Sequence, residues 1–162
     1  MELSEDVHAL SRQLHPSIVD DLGLVDALRA ECASFSRREG IAVSYNPEPF
    51  PTPLAKDRAL CIYRVAQEAL RNVAKHAGVR HARVSLFADG KELVLRVEDK
   101  GAGFDASATR SQAGLGLSSV QERVRLVGGR HTITSAPGQG TSIEVRVPLA
   151  HRRRQDSQTR RG

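Results

Sequence analysis

The chain has 162 residues, enough for one domain with a sizeable core. Its 40% hydrophobic and 27% charged content is that of a soluble globular protein. No apolar run approaches the ~20 residues of a membrane-spanning helix, and the opening "MELSEDVHALSRQLHPS" is too polar for a signal peptide. The net charge of +5 is concentrated in "HRRRQDSQTRRG", whose five Arg and one Asp give +4 and leave +1 for residues 1–150. A basic tail without a basic groove, and no Trp for base stacking, argue against nucleic-acid binding. The expectation is a cytoplasmic chain with no membrane segment, which leaves open a membrane-anchored parent.

Residues 3–14 read as a helix interrupted at Pro16. "PSIVDDLGLVDALRAECASFSRREG" reads as a turn leading into a second helix, with Leu24, Leu28, Cys32 and Phe35 at helical spacing and Gly40 as a stop. "IAVSY" reads as a short strand, and the four prolines of "NPEPFPTP" as an extended connection. A long helix is expected from about Leu54 to Ala77. The period then drops to two. Val84 and Leu86 alternate with polar residues, Asp89-Gly90 signals a hairpin, and Leu93, Leu95 and Val97 share one face. "KGAGFDASATRSQAGLG" is a polar loop, and "LSSVQERVRLVGG" a helix with Leu117, Val120, Val124 and Val127 on one side. "HTITSAPGQGTSIEVRVPL" reads as two strands joined by a turn. Cys32 and Cys61 are read as buried small hydrophobes, since they have no metal-ligand spacing. An antiparallel-rich sheet with interposed helices gives an α/β two-layer sandwich with the helices on one face.

Three stretches carry candidate chemistry. On the long helix, at about 100° per residue, Asn72 falls about +40° from Glu68, His76 about +80° and Lys75 about −20°. Arg64 and Arg71 lie just beyond on the negative side. The opposite arc is apolar, so the pattern alone describes a surface helix. Asp99 continues the inward alternation of Leu93, Leu95 and Val97. A carboxylate there either caps the turn at Gly101 and Gly103 or receives a polar ligand edge. "GLGL", Gly114 to Leu117, opens a helix whose backbone N–H groups suit a phosphate. No phosphate-binding loop of the G-x-x-x-x-G-K-[ST] type is present, nor a dinucleotide fingerprint or nucleophile elbow.

The ordered set "QEALRNVAKHA", "EDKGAGF", "GLGL" and "GQGT" resembles the N, G1, G2 and G3 boxes of the Bergerat-type ATP-binding fold shared by histidine kinases, gyrase, Hsp90 and MutL-type proteins. "LSRQLHPSIVDDLGLVDALRAEC" is similar to the segment that joins the dimerisation helices to the ATPase domain in nitrate-sensor-like histidine kinases. The resemblance covers residues 9–149 and implies a mixed, mostly antiparallel sheet. It implies that Asp99, with Thr141 beside it, receives the adenine amino group and that Gly101 and Gly103 shape the adenine pocket. Asn72 would help hold Mg²⁺, Lys75 and His76 would lie near the phosphates, and Gly114, Leu115, Gly116 and Leu117 would pass the triphosphate over the helix entry. Residues 105–113 would form a lid. Glu68 would orient an acceptor histidine.

The resemblance divides the chain into a remnant of a dimerisation helix and connector (residues 1–22), an ATP-binding catalytic domain (23–149) and a basic disordered tail (150–162). An acceptor histidine in this family is usually followed by Asp or Glu. The six here precede Ala, Pro, Ala, Ala, Thr and Arg. The implied function is that of a histidine kinase catalytic domain, monomeric in isolation and unable to phosphorylate itself, acting on a dimerisation/phosphoacceptor domain and through it on a response regulator. An anti-sigma-type serine kinase and a non-catalytic nucleotide-sensing module are the alternatives.

Overall fold

The structure, a computed structural model, describes residues 17–51, 53–107 and 116–149. The helix expected over residues 3–14, the C-terminal tail, and Gly114 and Leu115 lie outside them. The elements run α1 (Ser17–Leu22), α2 (Leu24–Glu39), β1 (Ala42–Pro47), α3 (Lys56–Asn72), a π-helical turn (Val73–Ala77), β2 (His81–Asp89), β3 (Glu92–Asp99), α4 (Leu117–Leu126), β4 (Arg130–Ser135) and β5 (Thr141–Pro148).

Five strands form one sheet in the order β1-β2-β3-β5-β4. β1 runs parallel to β2, and every other pairing is antiparallel. The parallel pair needs a long crossover, which α3 supplies. Pro47 lacks a ladder donor and ends the edge strand β1, where that lack is tolerated. β2 and β3 are joined through Gly90 and Lys91, with Gly90 at φ 59°. The expected two-layer α/β sandwich of a mixed, mostly antiparallel sheet is thus present.

Period-two burial fixes which sheet face meets the helices. Ala82, Val84 and Leu86 of β2, Leu93, Leu95 and Val97 of β3, and Ile143, Val145 and Val147 of β5 are all buried. From the helical layer, Leu28, Cys32 and Phe35 of α2, Ile62, Val65, Ala66, Ala69 and Leu70 of α3, and Val120 and Val124 of α4 close the core. Burying a side chain of the size of Leu28 or Phe35 contributes roughly 1.5–3 kcal/mol. Val19 of α1 is buried in the same core, so α1 packs on the rest of the fold. Tyr45 of β1 donates from its hydroxyl to the carbonyl of Val25 at 2.8 Å, and Arg29 stacks over its ring, tying the edge strand to α2.

The opposite sheet face carries charge. Glu144 accepts from Arg96 at 2.7 Å and from Arg146 at 2.7 Å, while Arg146 also donates to Asp89 at 2.8 Å. Arg96 lies over the ring of Phe87, and Val94, paired with Phe87 and Arg146 across the sheet, is fully covered. The aliphatic stems of these arginines supply an apolar blanket under charged tips.

Candidate functional site

One row across the sheet sets the floor of the site. Asp99 pairs with Thr141, and Thr141 with Ser135, on three neighbouring strands. Asp99 follows the inward alternation, as the sequence predicts, and also caps the turn after the strand. Its Oδ1 accepts the Gly101 N–H at 2.8 Å. The capping reading is therefore met, and the other oxygen is left for whatever enters the cavity. One carboxylate oxygen fixes the backbone, and the carboxylate still lines the cavity at the sheet end.

That cavity is bounded by Asn72, His76, Asp99, Gly103, Phe104 and Thr141, among others. Four hydrogen bonds clamp the loop that shapes it. Besides the Asp99 bond, the Ala102 N–H reaches the Ala77 carbonyl at 2.9 Å, the Gly138 N–H reaches the Ala102 carbonyl at 2.6 Å, and the Phe104 N–H reaches Ser135 Oγ at 2.9 Å. Glycine is required at two places in the loop. A Cβ at Gly101 would collide with the Ala77 carbonyl, and one at Gly103, which has φ 63°, with that of Ala136. The cavity has a volume of about 30 Å³.

The helix wall departs from the sequence expectation. An α-helix predicted through Ala77 ends at Asn72, and a π-helical turn takes over. The Val73 N–H is shared between the carbonyls of Ala69 and Leu70 where the geometry changes. A π-turn inserts extra backbone into the helix and rotates the residues beyond it. As a result His76 stays on the cavity with Asn72, whereas Lys75 lines a separate groove between α2 and α3 with Arg71 and Ala74.

Asn72 carries the clearest sign of a ligand. Its Nδ2 is buried and has no hydrogen-bond partner among the described residues. A buried amide donor left unpaired costs about 1–3 kcal/mol. Such a donor on the wall of the cavity suits a phosphate oxygen, and the side-chain oxygen of the same amide could meet a cation. Among the described residues no group of three His, Cys, Asp or Glu side chains forms a metal cage. A magnesium ion here would take most of its ligands from phosphate and water, which is its habit.

Glu68 sits one turn before Asn72 and faces the start of α4. Gly116 caps that helix at φ 69°, and a Cβ on it would collide with Glu68 Oε1. The carboxylate thus lies at the positive end of α4, a favourable placement. Arg71 donates to its other oxygen at 2.8 Å. Of the "GLGL" residues, Gly116 and the backbone of Leu117 are described, and Gly116 packs on Glu68.

Ser135 was not singled out from the sequence. Its hydroxyl meets Thr141 Oγ1 at 2.9 Å and donates to the Gly140 carbonyl at 3.0 Å while accepting from Phe104. It locks the glycine loop to the sheet. The one available signal was its place in the inward series His131, Ile133, Ser135 of β4.

Comparison with known proteins agrees with this geometry. Residues 57–151 match the family described as histidine kinase-, DNA gyrase B- and HSP90-like ATPase. The chain is 36% identical over 151 residues to the sensor histidine kinase MctS of Rhizobium johnstonii, covering 92% of this chain and 32% of that protein. It is 37% identical over 147 residues to the oxygen sensor histidine kinase NreB of Staphylococcus carnosus, covering 91% of this chain and 42% of that one. It therefore spans less than half the length of these relatives. The fold is also that of the histidine kinase domain of the Erythrobacter litoralis EL346 blue-light activated histidine kinase, with a TM-score of 0.67 at 23% identity over 78% of this chain and 61% of that one. The chain belongs to the histidine kinase-, DNA gyrase B- and HSP90-like ATPases, an ATP-binding family.

Proposed function

We propose that the chain is the catalytic domain of a sensor histidine kinase, which transfers the γ-phosphoryl group of ATP to a histidine on a phosphoacceptor domain and so feeds a response regulator. The convergence of Asp99, Thr141, Asn72 and His76 on one cavity beside the Glu68–Gly116 contact carries this reading. Asp99 and Thr141 would take the adenine edge, with Gly101 and Gly103 keeping the loop close to the ring. Asn72 would offer its amide to the phosphates and its oxygen to Mg²⁺, with His76 close by, and Gly114 to Leu117 would pass the chain of phosphates over the entry of α4. A magnesium ion held by Asn72 would supply charge neutralisation to the phosphates.

Phosphoryl transfer asks a protein for positioning and electrostatics more than for covalent help. The acceptor nitrogen attacks phosphorus in line with the departing oxygen of ADP. Glu68 would accept a hydrogen bond from the opposite N–H of that imidazole, holding the tautomer whose lone pair faces the phosphorus. Among the described residues no helix is long and apolar enough to cross a membrane. The proposed setting is the cytoplasm, where ATP is supplied.

The test is transfer of labelled γ-phosphate from ATP to a separately supplied phosphoacceptor domain. Acid-labile, base-stable phosphate on that domain, absent with the Glu68→Gln chain, supports the reading. Label that appears only on serine of a partner contradicts it and favours a serine kinase.

A further inference from the structure

Glu68 divides two environments on α3. On one side Asn72 and His76 line the nucleotide cavity. On the other, Arg64 and Arg71 of α3 and Arg123 of α4 surround a recess of about 140 Å³ that reaches Glu68, Ser119 and Val120. Three arginines share this recess with a single carboxylate, which Arg71 already engages at 2.8 Å. Arg64 donates to neutral Gln67 at 3.4 Å, and neither it nor Arg123 meets a carboxylate among the described residues. Burial, with the neighbouring charges of Arg123 and Arg71, holds Arg64 below the usual arginine range. Positive charge packed against positive charge costs stability and persists where an anion returns it. Guanidinium groups in a fixed fork suit a carboxylate.

We propose that this recess receives an acidic side chain of the helix that carries the acceptor histidine. The inference rests on the kinase reading above. In-line transfer brings the acceptor to the γ-phosphorus from the side away from ADP, and an imidazole that touches Glu68 brings its neighbours on the same helix within reach of the recess. Charge complementarity then selects an acidic helix and rejects a basic one.

The probe is a pair of capped, labelled helical peptides, one with glutamates at three successive i, i+4 positions and one with glutamines there. Binding to the full chain is read by fluorescence anisotropy at low salt. The glutamate peptide is expected to bind about tenfold more tightly than its counterpart, and Arg64→Gln with Arg123→Gln to remove that preference. Arg64→Lys with Arg123→Lys should keep only the part that charge alone supplies, and Arg152→Gln with Arg153→Gln in the tail should change it less than about twofold. Equal binding of the two peptides, survival of the preference in the recess variant, or an equal loss in the tail variant overturns the proposal. Titration of each variant with ATP separates the claims. Unchanged ATP affinity in the recess variant is expected, and a parallel fall assigns the arginines to the nucleotide and overturns the docking role. An absence of ATP binding by the wild type is instead the failure of the kinase reading.

Discussion

Gly116 is packed so closely on Glu68 that any Cβ at position 116 would overlap the carboxylate. The two residues lie 48 positions apart, on the entry to α4 and on α3, and their contact couples the start of α4 to the candidate base. Gly116→Ala should cost about 1–2 kcal/mol from its left-handed backbone, plus the displacement of Glu68. In a Glu68→Ala background the second part disappears. Urea unfolding of the four chains in this cycle should show a coupling of about 0.5–3 kcal/mol, whereas additive costs would mean that the contact is absent in solution.

Asn72 should trade stability for binding. Its unpartnered Nδ2 is a liability in the ligand-free chain. Asn72→Ala is expected to leave the unfolding free energy unchanged or raise it by up to about 1 kcal/mol, while weakening ATP binding in magnesium by about tenfold or more. Calorimetric titration and thermal melts on one preparation check both halves. A variant that binds ATP normally would remove Asn72 from the site.

Much of this was legible in the sequence because the relevant signals are local and periodic. Alternation from Leu93 to Val97 placed Asp99 on the inner face, and the helical spacing of Leu24, Leu28, Cys32 and Phe35 found the buried stripe of α2. What escaped depends on backbone geometry or on pairing at a distance. The π-turn after Asn72 changes the angular step, and nothing in "VAKHA" announces it, so the groove that Lys75 lines with Arg71 is not readable from helical spacing alone. Ser135 gained its role only once β4 lay beside β5 and the Phe104 loop folded back onto it.

The open sheet face carries the acid sensitivity. Burial would raise the Glu144 carboxyl, but hydrogen bonds from Arg96 and Arg146 outweigh it and hold the group below the usual glutamate range. A carboxyl with a depressed folded pKa adds stability that is full above its unfolded value, near 4.3 for glutamate, and is lost as pH falls through the folded value. The stability difference between the wild type and Glu144→Gln should therefore be constant above about pH 6 and shrink below about pH 4. A difference that does not change down to pH 3 would contradict the network.

Both cysteines should be silent in the native chain. Burial pushes the Cys32 thiol up to about 12 and the Cys61 thiol up to about 11. Native protein at pH 8 should react with a disulfide reagent only at the rate at which it opens, and both thiols should react at once in urea. Rapid labelling of folded protein would show that α2 or α3 is not packed as described.

The central claim is that Asp99 receives the nucleobase. Asparagine at this position keeps the oxygen that caps Gly101, so the fold survives while the charged acceptor is lost. A hydrogen bond to a charged group is worth about 1.5–3 kcal/mol, which predicts that Asp99→Asn binds ATP about 10- to 100-fold more weakly than the wild type in a calorimetric titration with magnesium. Equal affinities in the two chains would contradict the account.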